Sequence, residues 1–224
     1  MTRPVVTFDL FSALLDSRTG GAGALGRITA ARGWAVGGGE LYDRWDVANK
    51  RAQRDCRQWV PYRELAVRAL VDVYGSFGLA ADAVVDVDAL LESLPGWPLW
   101  PDVADGLAAL RGRFRVGLLS NVDDDLLART RAASLVEPAL ALTSERLRAY
   151  KPDHRIYHEA QRLLGPMVHV ATSARDVRGA LEAGLAVVRL VRPGHELDRE
   201  GPSPAHEARE IGELGPLLEH AAQG

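Results

Sequence analysis

The sequence predicts an α/β fold: a parallel, Rossmann-like sheet core into which a helical cap is inserted. Two observations carry this expectation. In the second half of the chain, short apolar runs alternate with helical stretches, the pattern of a parallel sheet with helices on its faces. The first two strand-like runs, 4–8 and 115–120, are far apart, and residues 22–94 between them read almost wholly as helix.

The elements follow in order. Residues 4–8, Pro-Val-Val-Thr-Phe, read as a short buried strand that ends at Asp9. Cap helices are expected over 25–31, 40–59, 62–74 and 83–94, with Gly37-Gly38-Gly39 turning between the first two. Pro95-Gly96, Pro98 and Pro101 mark the return to the core. There follow a helix at 103–112, a strand at 115–120 ending in Ser120-Asn121, and a helix at 124–134. Strands at 139–142 and 167–171 flank a helix at 154–164. A helix at 176–183 stops at Gly184, where a helix C-terminal glycine belongs, and a strand covers 186–191. A last helix is expected over 205–221. This divides the chain into a core, 1–15 with 96–224, and a cap, 16–95.

Composition narrows the function classes. A net charge of −3 over 224 residues gives no electrostatic footprint for nucleic acid. No apolar run approaches the ~20 residues a membrane span needs. The N-terminal residues run straight into the first strand without the apolar region of a signal peptide. Cys56 is the single cysteine, so neither an intrachain disulfide nor a cysteine metal site is expected. A cytoplasmic setting is the simplest expectation. Of 27 basic residues only Lys50 and Lys151 are lysines, and the two types are not interchangeable in a tight site.

Ligands of open parallel sheets bind at the carboxyl ends of the strands. Asp9, Ser120 with Asn121, and Thr172 with Ser173 all fall at such ends, and Lys151 follows the third strand by a short loop. Two other strings have plainer readings. Gly21-Ala22-Gly23-Ala24-Leu25-Gly26 fits G-x-G-x-x-G, but a dinucleotide site needs that string directly after a strand; a flexible entry to the cap is expected instead. Asp123-Asp124-Asp125 reads as the acidic start of a helix. Trp45 and Trp59 read as packing residues, and His154, His158 and His169 show no metal-ligand spacing.

Four motifs, in order, carry a resemblance. Phe8-Asp9-Leu10-Phe11-Ser12-Ala13-Leu14-Leu15-Asp16 resembles the first motif of the haloacid dehalogenase-like hydrolases, and Leu118-Leu119-Ser120-Asn121 the second. Lys151-Pro152-Asp153-His154-Arg155-Ile156-Tyr157 is similar to the third. The stretch from His169 through Asp176 to Ala180 is similar to the fourth. A carboxylate at a strand end is a competent nucleophile that forms an ester. Lys151, Ser120 and Asn121 supply the cation and donors it needs. Asp176 is placed to orient or deprotonate the water that cleaves the ester.

The resemblance implies more than this. Phosphate-processing members carry a second Asp two residues after the nucleophile; Phe11 stands there and has no proton to give. Their fourth motif usually has Gly-Asp to help hold Mg²⁺; Ala171-Thr172 stands there, against a Mg²⁺ site. The short fourth motif is closest to the metal-independent 2-haloacid dehalogenases, which need no cofactor. By that resemblance Tyr157 is a site tyrosine, and Arg44 is the cap arginine near the leaving group. The chain departs from that pattern at Ala13, Ala171 and Ser173, with Ser12 and Ser173 as replacements for lost polar groups. The expected substrate is a small anion of 2-haloacid type. A homodimer is expected from cap-bearing relatives. The alternatives are a Mg²⁺-dependent phosphatase held by Asp9, Asp176 and backbone oxygen, or a binding protein that has lost turnover.

Overall fold

The computed structural model describes residues 3–223. Strand β1 (Val5–Phe8) is followed by a single π-helical turn, Leu10–Leu14, and then by four helices: α1 (Ser17–Ala31), α2 (Gly38–Asp55), α3 (Tyr62–Phe77) and α4 (Ala83–Glu92). The chain then runs α5 (Val103–Leu110), β2 (Arg115–Ser120), α6 (Asp124–Ala128), β3 (Ala141–Thr143), α7 (Ser144–Leu147), α8 (His154–Leu164) and β4 (Met167–Ala171). It ends with α9 (Ala174–Glu182), β5 (Ala186–Leu190), β6 (His206–Ala208) and α10 (Leu214–Ala221).

The strands form one six-stranded sheet in the order β3-β2-β1-β4-β5-β6. Every pairing is parallel. The α/β class read from the sequence is therefore the class observed. Every residue of β1 and β4 is buried, as helices on both faces require. Alternation sends Val6 and Phe8 into one apolar cluster and Val5 into the other. Strand order reverses about β1 and β4, so the crevice for a ligand opens beyond their carboxyl ends.

The four helices between β1 and α5 pack in sequence, α1 on α2, α2 on α3 and α3 on α4. An antiparallel bridge between Leu15 and Leu99 brings the two ends of this segment together. Helix α2 shows how its pattern works. Leu41, Trp45, Asn49 and Gln53 recur at every fourth position and are all buried. The stripe begins apolar and turns polar, and its polar half faces the cavity described below.

Several boundaries differ from the sequence reading. The glycine-rich stretch is helix, not a flexible entry: α1 begins at Ser17, capped by Asp16, whose carboxylate accepts from Thr19 N at 3.1 Å. Gly20 and Gly21 of this helix, and Gly38 at the start of α2, serve close packing, and a Cβ on Gly20 would lie 2.4 Å from the Trp97 ring. A Cβ on Gly21 would lie 2.1 Å from the Tyr42 ring, and one on Gly38 would lie 2.4 Å from backbone atoms of Ala22 and Gly26. Helix α2 stops at Asp55 rather than 59, and α6 keeps only 124–128 of the expected 124–134. The helix expected over 205–221 is instead the edge strand β6 followed by α10. Three residues of mixed polarity at a sheet edge leave too little periodicity to read.

Asp123 to Asp125 do form the acidic start of a helix, with Asp123 at the N-cap position of α6, but the Asp123 side chain has a further role. Its carboxylate accepts from Tyr62 N at 2.9 Å, capping α3 from across the fold, because Pro61 offers that helix no capping side chain. Burial pushes the Asp123 carboxyl up from its ordinary range.

Candidate active site

At the end of β1, Asp9 caps the π-helical turn: its Oδ2 accepts from Ser12 N at 3.0 Å and Ser12 Oγ at 2.6 Å. The turn folds the backbone tightly enough to bring both donors back onto the carboxylate. Ser12 thus donates the hydroxyl that Ala13 lacks. The turn is pinned from outside as well. Trp100 Nε1 donates to Ser12 O at 3.1 Å, and the buried Arg192 donates to Ala13 O while pairing with Asp102 at 2.8 Å.

The other oxygen, Asp9 Oδ1, accepts from Lys151 Nζ at 2.8 Å and, at 3.4 Å, faces Ser120 Oγ. Lys151 Nζ also donates to Leu119 O at 2.8 Å and to Asp176 Oδ2 at 2.6 Å. An ammonium has three N–H donors, and all are committed. Asn121 holds the loop that delivers it: Asn121 Oδ1 accepts from Lys151 N at 2.7 Å, and Asn121 Nδ2 donates to Lys151 O and to Gln53 Oε1, both at 2.9 Å.

Asp176, in the first turn of α9, accepts from Tyr157 Oη at 2.8 Å and lies 3.2 Å from His169 Nε2. His169 Nδ1 contacts Thr7 Oγ1 at 2.9 Å. Sequence reading missed His169. Its signal was a histidine within an otherwise apolar strand, where a polar group must find a partner. Tyr157 positions Asp176 from behind and lies outside the cavity lining.

Burial alone would raise the Asp9 carboxyl, but the Lys151 ammonium outweighs it and holds the group below 3.8. The same contest, with His169 added on the charged side, holds Asp176 well below its ordinary value. Burial would lower Lys151, yet Asp176 and Asp9 together raise it above 10.5. The carboxylate pairing stabilises the fold above the ordinary carboxylate range and is lost as pH falls through the lowered values. The lysine contribution is present below 10.5 and is lost as pH rises through the raised value. All three groups stay charged between these limits. Catalytic efficiency is therefore expected to be level from about pH 7 to pH 10, checked by a kcat/KM profile, which reports the free enzyme; a limb inside that window would contradict this charge state.

Above the carboxylate lies a cavity of about 750 Å³. Phe11 walls it, stacked on Tyr62 with centroids 5.9 Å apart and edge-on to Trp97 at 6.1 Å. Trp45 lines it while donating to Ala66 O at 3.0 Å, so packing and lining coincide. Ser173, Ser120 and Asn121 also face it. So does His195, which burial pushes below 6.5. Arg44 does not. It is exposed on α2 and lies outside the lining, because the buried stripe of that helix runs through Leu41, Trp45, Asn49 and Gln53. The cations that do reach the cavity beside Lys151 are Arg18, Lys50 and Arg175.

The donor set does not suit Mg²⁺, which wants several oxygen ligands. The Lys151 ammonium already sits between Asp9 and Asp176. Thr172 turns away, its hydroxyl donating to Leu190 O at 2.8 Å. Among the described residues no group of three or more His, Cys, Asp or Glu is arranged around a metal position. Nor is any helix among them long and apolar enough to cross a membrane.

The fold and this site define an α/β protein with a buried aspartate–lysine–aspartate cluster at the carboxyl ends of its strands. Residues 4–184 match the model of the family described as haloacid dehalogenase-like hydrolase, and the chain belongs to that family. This is the family that the four motifs point to. The chain is 33% identical over 138 residues to (S)-2-haloacid dehalogenase 4A from Burkholderia cepacia, a match spanning 58% of this chain and 60% of that relative. Among solved structures it is similar to a defluorinating L-2-haloacid dehalogenase, with 26% identity and a TM-score of 0.82 over 97% of this chain and 96% of that one. The L-2-haloacid dehalogenase from Xanthobacter autotrophicus, 20% identical, shares the fold with a TM-score of 0.82 over 97% of this chain and 99% of the other.

Proposed function

We propose that this hydrolase is a metal- and cofactor-independent 2-haloacid dehalogenase. Asp9 Oδ attacks C2 of the acid, the carbon–halogen bond breaks, and the halide leaves with the bonding pair. Water then attacks the carbonyl carbon of the resulting ester. It gives one proton to a base at Asp176, and the ester C–O bond to Asp9 breaks. The leaving alkoxide takes that proton back from Asp176 to become the 2-hydroxy acid, and the second water proton is released as the regenerated Asp9 carboxyl ionises. Residues 16–95 act as the cap that closes the cavity over the substrate.

One observation carries this reading. Asp9 lines the cavity and is paired with the Lys151 ammonium at 2.8 Å, while the position two residues on that walls the same cavity is the aromatic ring of Phe11. A leaving alkoxide needs a proton from a neighbouring acid; a halide departs as a stable anion and needs none. An aromatic wall therefore suits halide departure and does not suit phosphate ester cleavage. The substrate is a small anion, and the reading implies a cytoplasmic enzyme, acting as a homodimer, with no nucleic-acid partner.

The test is halide release from both enantiomers of 2-chloro- and 2-bromopropanoate, with a chelator present. Native protein is expected to release halide from one enantiomer, and Asp9→Asn none. A single turnover in ¹⁸O-water should place label in the Asp9 carboxylate. No release at high enzyme, or release only with added metal, overturns the proposal.

A further inference from the structure

The cavity holds four cations, and three of them are neutralised where they stand. Lys151 is shared between Asp9 and Asp176. Arg18 pairs with Asp43 at 2.8 Å, and Lys50 pairs with Asp46. Arg175 differs. Among the described residues its hydrogen bonds go only to neutral acceptors: Gln53 Oε1 at 2.7 Å and Lys50 O at 3.1 Å. A guanidinium carries more donors than these two acceptors use. No carboxylate among the described residues forms an ion pair with it.

Its position sharpens the point. Arg175 lies in the first turn of α9, where the helix dipole favours anions and a cation adds to an already positive end. The one acid in that turn, Asp176, is occupied by Lys151, Tyr157 and His169. A local rule broken without structural compensation is a mark of a functional position. Gln53 fixes the guanidinium, because its Oε1 is shared with Asn121 Nδ2 at 2.9 Å, tying Arg175 to the loop that carries Lys151.

We propose that Arg175 is the residue that recognises the substrate's carboxylate, with Gln53 as its positioning residue. This deepens the dehalogenase reading and rests on it for the identity of the substrate. The physical reason is donor supply. Lys151 has no N–H left to give, so the charge-assisted bonds to an incoming carboxylate come from Arg175, whose planar donors match that group.

The experiment measures binding apart from turnover. Quenching of tryptophan fluorescence reports propanoate and 2-hydroxypropanoate binding to Asp9→Asn protein, in which no chemistry occurs. Adding Arg175→Gln is expected to weaken binding by about tenfold to a hundredfold, and Arg175→Lys by less. Native protein should prefer each acid over its neutral amide by a similar factor, a comparison that depends on no variant folding. In the active enzyme, Arg175→Gln should raise KM for the haloacid more than it lowers kcat; a purely structural role would lower the melting temperature and kcat together. Carboxylate binding that is equal in Arg175→Gln, or equal for acid and amide in native protein, overturns the inference. Arg175-dependent carboxylate binding in a protein that releases no halide would sink the dehalogenase reading and leave this one standing.

Discussion

Lys151→Met is expected to destabilise the protein by about 3–5 kcal/mol at neutral pH and to cut turnover by at least about a hundredfold. The side chain is almost fully buried, with carboxylates at 2.8 and 2.6 Å. Methionine keeps much of the volume and removes the charge. Two buried carboxylates then face each other with one shared cation gone, and desolvation and mutual repulsion both push their pKa values up. The sign of the pH dependence reverses as a result. In the native protein these carboxylates have lowered values, so their contribution to stability is lost as the solution is made acid. In the variant their raised values mean that the folded state binds protons more readily than the unfolded one, so acid restores stability. The gap between the two denaturation midpoints should therefore narrow as pH falls from 7 towards about 4. A gap that stays constant would show that Lys151 contributes packing rather than charge. The activity loss has the same origin, since an Asp9 that shares a proton with Asp176 is no longer a full nucleophile.

Much of this site is legible in the sequence because it is built at strand ends. Asp9, Ser120, Asn121 and Lys151 each terminate or closely follow a short apolar run, and a parallel sheet forces such positions into one crevice. What the sequence does not show is what reaches that crevice from the side. Arg44 is the cap arginine that the resemblance implies, but one residue is about 100° on a helix, and the buried stripe passes it by. The stripe itself was readable: Asn49 and Gln53 extend the spacing of Leu41 and Trp45, and polar residues on a buried stripe ask for a reason. Arg175 stood inside the fourth motif, hidden among many arginines whose charges are mostly satisfied on the surface. The glycines of α1 misled for a different reason. Flexibility and close packing use the same residue, and only the neighbouring rings of Tyr42 and Trp97 decide between them.

Asp176→Asn separates the two jobs the geometry offers Asp176. It holds the Lys151 ammonium at 2.6 Å, and its oxygens retain acceptor capacity beyond Tyr157, His169 and Lys151 for a water molecule. Consider the charges as the reaction proceeds. Before attack, Lys151 faces two carboxylates. Once Asp9 is esterified its charge is gone, and Asp176 is the only anion left against Lys151 to receive a proton from water. In the Asn variant the Lys151–Asp9 pair survives, so displacement of halide proceeds. Hydrolysis loses its proton acceptor and should slow by about 10²–10⁴-fold. The expected result is a burst of roughly one halide per chain followed by near silence. Mass spectrometry should find the ester on the peptide that contains Asp9. The opposite result is equally definite. If halide release is slow from the first turnover and no adduct accumulates, Asp176 acts by positioning Lys151, and the hydrolytic base lies elsewhere in the cavity. His195 lines that cavity and, with a pKa held below 6.5, is largely neutral and able to take a proton at pH 7.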